Sequence, residues 1–200
     1  MKMIYIIGVI IAGGFAFYLA SCTNKSSEKH KQTTTKQDTS RLKAYHTKEN
    51  TFEDLRNLAF TATPEKLGIS LPNYKTIVFG VIMDWEMDGA TVTTVSYQTG
   101  DASLYMSTGG AIIGGGQYQN VSNAAKEFVL KAQSFLEKTT QTTSTPTPPK
   151  NLVKFYLLTN KGIFVGQEEM KNFENNSSIW LTLFEQANNV ITELRLTTGN

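Results

Sequence analysis

This chain of 200 residues contains a single cysteine, Cys22, and this limits how the chain can be stabilised. One cysteine cannot form a disulfide within its own chain, so a folded domain here must rest on an apolar core. Large apolar residues are scarce between residues 23 and 50 and abundant from residue 51 onward. We therefore expect one domain at residues 51–200, which is long enough to bury a real core.

The first 21 residues have the layout of a secretory signal. Lys2 supplies positive charge, an uncharged and mostly apolar run extends from Ile4 to Ala20, and small residues precede Cys22. This order of a basic start, an apolar run and small residues favours a signal peptide. A transmembrane helix is an alternative, because the run lies at the lower edge of the roughly 17–25 residues that span a bilayer. A secretory signal that is cleaved without lipidation is another.

The residues Leu19-Ala20-Ser21-Cys22 resemble the lipobox of bacterial lipoproteins. The resemblance implies that residues 1–21 are a lipoprotein signal peptide and that Cys22 becomes the first residue, acylated with fatty acids such as palmitate. Its partner is then a membrane of the cell envelope, held firmly because each buried methylene contributes about 0.8 kcal/mol and more than one chain is attached. Thr23 stands where some lipoproteins retained at the inner membrane have Asp, which favours the outer membrane.

Residues 22–50 are rich in Lys, Ser, Thr and Gln. Such a segment buries too little apolar surface to offset the entropy of ordering, so we expect a disordered tether. Its basic residues outnumber its acidic ones, which favours weak attraction to anionic lipid headgroups. Aromatic residues do not alternate with the basic ones, so we expect no nucleic-acid partner.

Residues 51–200 read as an α+β domain with the element order α-β-β-β-α-β-β-α and a largely antiparallel sheet of about five strands. Thr51 is expected to cap a short first helix. Two longer helices with one apolar stripe each are predicted at 122–138 and 178–194, and 139–150 is expected to be a linker rich in Pro and Thr. The predicted strands are 76–85, 91–98, 102–107, 152–158 and 163–170.

The sequence excludes several kinds of catalytic site. Both histidines, His30 and His46, and the one cysteine precede residue 51. The predicted domain therefore cannot build a Ser-His-acid or Cys-His site, nor a zinc site of histidine or thiolate ligands. We expect no cofactor, no metal and no catalytic residue. Acid–base chemistry at neutral pH would have to use carboxylates, lysine or tyrosine.

One acidic group is a candidate site. Asp84, Glu86 and Asp88 share a face if the strand continues, and Asp101 follows one turn later. Paired carboxylates act in glycoside hydrolysis and bind calcium, and the run from Asp84 resembles the first half of an EF-hand loop. It lacks the glutamate of the twelfth position, where Val95 stands. The remaining interpretation is a solvated hairpin end.

A glycine-rich segment is the second candidate, as an anion or peptide loop. A loop before a helix N-terminus offers backbone N–H groups to an anion, and Asn120 or Ser122 is expected to cap the helix that follows. The segment lacks the Lys-Ser/Thr pair of a P-loop. Its glycines are equally explained by a loop that needs positive φ. The residues are Gly114, Gly115, Gly116 and Gln117.

The stretches Gly100–Tyr105, Ser107–Gly110 and Lys154–Thr159 resemble those of uncharacterised bacterial proteins, which implies a globular module and supplies no activity. We therefore expect a membrane-tethered envelope lipoprotein whose domain is a non-catalytic binding or interaction module with an envelope protein as its partner. A carboxylate-dependent hydrolase of envelope polymers is the alternative, and a purely structural envelope protein is a third interpretation.

Overall fold

Branched and aromatic residues supply most of the strands. The computed structural model describes residues 51–199, so the predicted signal peptide 1–21, the tether 22–50 and Cys22 lie outside the described residues. The strands are β1 (Val78–Met87), β2 (Ala90–Tyr97), β3 (Ala102–Met106), β4 (Ala111–Ile112), β5 (Thr140–Thr142), β6 (Leu152–Thr159) and β7 (Gly162–Glu169). The helices are α1 (Phe52–Phe60), α2 (Gln119–Gln133), α3 (Met170–Glu174) and α4 (Leu181–Leu196).

The strands form one antiparallel sheet in the order β4-β3-β2-β1-β6-β7-β5. The predicted α+β class is confirmed. Strands β1 to β3 form an antiparallel meander. The turn between β1 and β2 lies at Asp88-Gly89, whose φ angles of 48° and 89° suit a tight hairpin turn. Because β1 pairs with both β2 and β6, it lies at the centre of the sheet.

The prediction of about five strands was too low, since the described sheet has seven. Strand β4 lies just before the glycine-rich candidate segment that starts at Gly114, and β5 lies inside the predicted linker 139–150. Each is only two or three residues long and pairs at an edge of the sheet. A strand this short shows no alternation of apolar and polar residues, so its sequence gives no periodic signal.

Both ends of α2 and of α4 differ from the predicted helix boundaries. Helix α2 begins three residues before the predicted Ser122 and ends at Gln133, after which residues 136–138 form a 3₁₀ turn. Helix α4 begins at Leu181, and the short α3 was not predicted. The predicted apolar stripes of α2 and α4 are correct, because their residues lie in one buried cluster.

Helices α2 and α4 cover one face of the sheet, which we call the helical face. Stacked aromatic rings connect them to the strands there: the ring of Trp180 lies 5.3 Å from that of Phe135 and 5.4 Å from that of Phe155. Phe128 and Leu183 are fully buried in the same cluster. Burying each such side chain contributes about 1.5–3 kcal/mol, so this face supplies most of the core.

Helix α1 and residues 61–75 cover the opposite face, which we call the N-terminal face. Its apolar cluster is smaller and joins Ala59 of α1 to Phe79, Ile82 and Tyr156 of the sheet. Both faces of β1 are therefore buried, as its continuous apolar sequence predicts. Polar residues of β1 also point to the N-terminal face. The candidate site is built from these residues and the segments that cover them.

Candidate functional site

The centre of the site is a buried ion pair between α1 and β1. The Nη2 and Nε atoms of Arg56 donate to Oδ2 of Asp84 at 2.5 and 3.0 Å. The hydroxyl of Thr93, on the neighbouring strand β2, donates to Oδ1 of Asp84 at 2.6 Å. Asp84 and Thr93 are 0 % exposed and Arg56 is 5 % exposed. Both oxygens of the Asp84 carboxylate therefore accept hydrogen bonds from buried side chains.

The local sequence of α1 places Arg56 over the sheet. Thr51 caps the helix as predicted, in a capping box with Asp54. Arg56 lies one turn before the buried Ala59, on the face of α1 that meets the sheet. Its guanidinium lies 4.9 Å from the ring centroid of Phe60 and 5.7 Å from that of Tyr156. These rings hold a cation against the sheet and complete the burial of the ion pair.

A second cation lies beside the ion pair. Lys154 of β6 is directly opposite Asp84 of β1 and is 9 % exposed. Its Nζ donates to the backbone oxygen of Pro146 at 3.2 Å. Burial lowers the pKa of Lys154, the carboxylate of Asp84 opposes that change, and Arg56 adds to it. The site thus places two cations beside one carboxylate.

Tyr156 lies two residues along β6 and shares the acceptor of Lys154. Its hydroxyl donates to the Pro146 oxygen at 2.6 Å. Burial is the main cause that raises the pKa of Tyr156 to about 12, with the charge of Asp84 adding to it. The phenol therefore stays protonated at neutral pH and acts as a hydrogen-bond donor.

The carboxylate of Glu86 binds two backbone N–H groups and so has a structural role. Its Oε1 accepts from the backbone N–H of Gly89 at 2.6 Å, and its Oε2 accepts from that of Asn151 at 2.5 Å. These two bonds, that from Asn151 first, lower the pKa of Glu86. The carboxylate joins the β1–β2 turn to the start of β6. Asn151 has a φ of 63°, so the bond also fixes a residue in the left-handed region.

The structure separates the four predicted acidic residues. Asp84 and Glu86 do share a face of β1, as their spacing predicts. Asp88 is exposed in the turn that follows, and Asp101 lies at the opposite end of the sheet, between β2 and β3, where it accepts from the Thr99 hydroxyl at 2.9 Å. Within residues 51–199 no group of three His, Cys, Asp or Glu side chains could hold a metal ion.

The glycine-rich segment is explained by packing. Gly114 has a φ of 77°, and Gly115 to Gln117 form a 3₁₀ turn. A Cβ at Gly115 would overlap Leu194 of α4, and a Cβ at Gly116 would overlap the carboxylate of Asp101. That carboxylate beside the loop disfavours a second anion. Of the four predicted residues, Gly114 and Gln117 are exposed.

The predicted side-chain cap of α2 was wrong. Tyr118 occupies the N-cap position and makes no side-chain capping bond. Ser122 lies within the first turns and is buried against Gly100. The Ser122 hydroxyl packs against Gly100 in the β2–β3 turn and makes no capping bond. Asn120 is helical and exposed.

Sequence reasoning missed Arg56, Thr93, Lys154 and Tyr156. A signal for two of them was present. Lys154 interrupts an otherwise apolar strand, and Arg56 lies on the apolar stripe of α1. Charged residues at apolar positions indicate buried pairing, but the identity of their partners depends on which strands are neighbours in the sheet.

No protein-family model, curated protein or solved structure matches this chain. The resemblance of residues 100–110 and 154–159 to uncharacterised bacterial proteins stays a prediction. Within residues 51–199, no helix is both long enough and apolar enough to cross a membrane.

Proposed function

We propose that this protein is a lipid-anchored protein of the bacterial cell envelope and that its domain is a non-catalytic binding module. The anchor is Cys22, supported by the lipobox-like residues that precede it. Two or three acyl chains on this residue give stable membrane attachment. Residues 23–50 then tether the domain to the bilayer, and Thr23 favours the outer membrane.

One observation supports binding over catalysis. The two carboxylates that the fold brings to one buried face are engaged in structural contacts, Asp84 with Arg56 and Thr93, and Glu86 with two backbone N–H groups. A general acid or base must reach the proton that it transfers. Carboxylates whose oxygens are already bound by the protein's own donors are poorly suited to that task.

The hydrolase alternative lacks the same support. A pair of catalytic carboxylates must flank one bond, at about 5–10 Å from each other. Asp88 is exposed in a turn at one end of the sheet, Asp101 lies at the other end, and the two carboxylates between them are engaged as described.

Crosslinking in intact bacteria that express the chain tests the binding role. The control carries residues 1–50 fused to an unrelated soluble domain, so that it shares any anchor but lacks the binding module. We expect at least one envelope protein to crosslink to the full chain and not to the control. Equal crosslinking patterns would contradict a binding role for residues 51–200.

An assay with purified envelope polymers tests the alternative. We expect no release of soluble fragments by the full chain above the level of a heat-denatured sample. Release that is lost in a folded Glu86→Gln variant would overturn the proposal in favour of hydrolysis.

A further inference from the structure

Residues 143–148 cross the N-terminal face of the sheet, and we call this segment the strap. It connects β5 at the sheet edge to β6, and β7 lies between those strands in the sheet. The strap must therefore pass over β7. It does so on the N-terminal face, because Lys154 and Tyr156, which contact it, point to that face.

The strap is weakly attached. Pro146 and Pro148 have no backbone N–H to donate. Among residues 51–199, the hydrogen bonds between the strap and β6 both end on one atom, the oxygen of Pro146. Pro148 is its one buried residue. Few buried contacts and few backbone hydrogen bonds characterise segments that open at low cost.

The two donors beneath the strap converge on one point. The Lys154 ammonium and the Tyr156 hydroxyl come from alternate residues of one strand and reach the same oxygen at 3.2 and 2.6 Å. A neutral carbonyl occupies that point. An ionised oxygen at that point would add the Coulomb attraction of an opposite charge to the hydrogen bond from the ammonium, and a neutral carbonyl lacks that attraction.

The charges beneath the strap also favour an anionic ligand, because positive charges outnumber negative ones there. Arg56 and Lys154 carry two positive charges, and Asp84 carries one negative charge whose oxygens are both engaged. Glu86, on the same face, is bound at both oxygens by backbone N–H groups, and the cation that acts on it is Lys150. One buried positive charge is thus left without a carboxylate partner among the described residues.

We infer that Lys154 and Tyr156 form a binding site for a carboxylate group, which takes the place of the Pro146 oxygen when the strap lifts. One excess positive charge matches the single charge of a carboxylate. The ligand is a small organic acid or a carboxylate of an extended peptide. The inference rests on the proposed binding role and names the ligand chemistry of that role.

The test is a titration of the full chain, labelled with ¹⁵N-threonine, in detergent micelles. Thr145 and Thr147 report on the strap, since they flank Pro146. Sodium acetate and a blocked acidic peptide are compared with sodium chloride at equal ionic strength. We expect the Thr145 and Thr147 signals to shift with saturation in acetate or peptide and not in chloride. A response to acetate shows that a small organic acid is sufficient. Tighter binding of the peptide than of acetate shows that the ligand is an extended peptide.

Variants assign the response to the site. Lys154→Met is expected to abolish it, and Tyr156→Phe, which keeps the ring, to weaken it by up to about tenfold. Lys150→Met removes a neighbouring exposed charge and is expected to leave it unchanged. Lys154→Arg keeps the positive charge and is expected to bind, so it preserves the test if Lys154→Met does not fold, as circular dichroism would show.

Three results would overturn the inference: an equal response to chloride, a response that survives in a folded Lys154→Met variant, or no saturable response to either acetate or peptide. Each is distinct from a failure of the proposed function, because crosslinking to an envelope protein does not depend on this titration. Crosslinking without acetate or peptide binding would keep the binding role and remove the carboxylate site.

Discussion

At the scale of single residues, Asp84 combines full burial with a charged partner. It is 0 % exposed, and its carboxylate is the counter-charge of Arg56, which is 5 % exposed. We expect Asp84→Asn, which keeps the volume but removes the charge, to lower the free energy of unfolding by about 3–5 kcal/mol. The reason is that a buried guanidinium loses its only ion pair within residues 51–199.

Urea denaturation measures this effect as a lower midpoint at constant slope. Glu185→Ala is the matched control, because it removes a carboxylate from an exposed position of α4 and is expected to change stability by less than about 0.5 kcal/mol. A loss for Asp84→Asn no larger than that of the control would show that the ion pair is not buried as described.

Gly166 of β7 is limited by steric contact with Trp180. A Cβ at this position would overlap the indole ring. The ring is buried and is stacked on Phe135 and Phe155. We expect Gly166→Ala to destabilise the domain by about 1–3 kcal/mol, measured by thermal unfolding. Gly199→Ala, where no atom lies near the added Cβ, should leave the melting temperature unchanged. Equal melting of the two variants would refute the contact.

Residue-level predictions from the sequence succeeded where the determinant is local. The helix cap at Thr51 depends on neighbouring residues alone, and it is confirmed. The Arg56–Asp84 pair joins residues 28 positions apart. Its formation depends on the docking of α1 onto β1, which no local pattern encodes.

At the scale of elements, α1 is held by its cap and by contacts with the sheet. Besides the ion pair, the hydroxyl of Tyr97 donates to the backbone oxygen of Ala59 at 2.9 Å. The helix has nine residues, which is too short to be stable alone. Its order therefore depends on the cap at one end and on the sheet beneath it.

We expect Thr51→Ala to cost about 1 kcal/mol, because it removes the oxygen that accepts the backbone N–H of Asp54. Hydrogen exchange of the α1 amides, followed with the urea midpoint, checks this. Thr182→Ala, at an exposed position inside α4, is the control and is expected to have little effect. Unchanged exchange of α1 in Thr51→Ala would contradict the cap.

The elements that the sequence predicted well are those with a long apolar period. The stripes of α2 and α4 and the buried strand β1 are examples, and their residues are buried as expected. The edge strands β4 and β5 and the short α3 were missed, because backbone pairing at a sheet edge and a single helical turn leave no period to read. For the same reason the strap was predicted only as part of an irregular linker at residues 139–150.

At the scale of the whole molecule, buried tyrosines predict instability at high pH. Burial is the main cause that raises the pKa of Tyr97, of Tyr105 and of Tyr156, the last to about 12. A phenol whose pKa is higher in the folded state than in the unfolded state stabilises the fold fully below the unfolded value of about 10. That stability is lost as the pH rises from there through the folded pKa.

We therefore expect unfolding above about pH 10, in which the absorbance of tyrosinate appears together with the loss of circular dichroism. Tyr156→Phe and Tyr97→Phe should each flatten the fall of stability with pH in this window. Ionisation of all tyrosines below pH 10 in a chain that stays folded would contradict their burial.

The class of the fold and the exclusion of histidine and thiolate chemistry from residues 51–200 followed from composition and periodicity. The candidate site did not, because it is assembled from α1, β1, β2 and β6, and strand order is a property of the whole sheet. The acidic and glycine-rich candidates illustrate the same limit. Each was identified from spacing along the chain, and the fold engages most of their residues in structural contacts.

The proposal that this domain works at a membrane depends on Cys22, and labelling with palmitate tests it most directly. Bacteria expressing the full chain or Cys22→Ser are grown with labelled palmitate, and their membranes are washed with carbonate. We predict that the full chain carries label and remains with the membrane, whereas Cys22→Ser carries none and is released or retained as an uncleaved precursor. A full chain that never acquires label, or a cleaved Cys22→Ser chain that resists the wash, would contradict the lipid anchor.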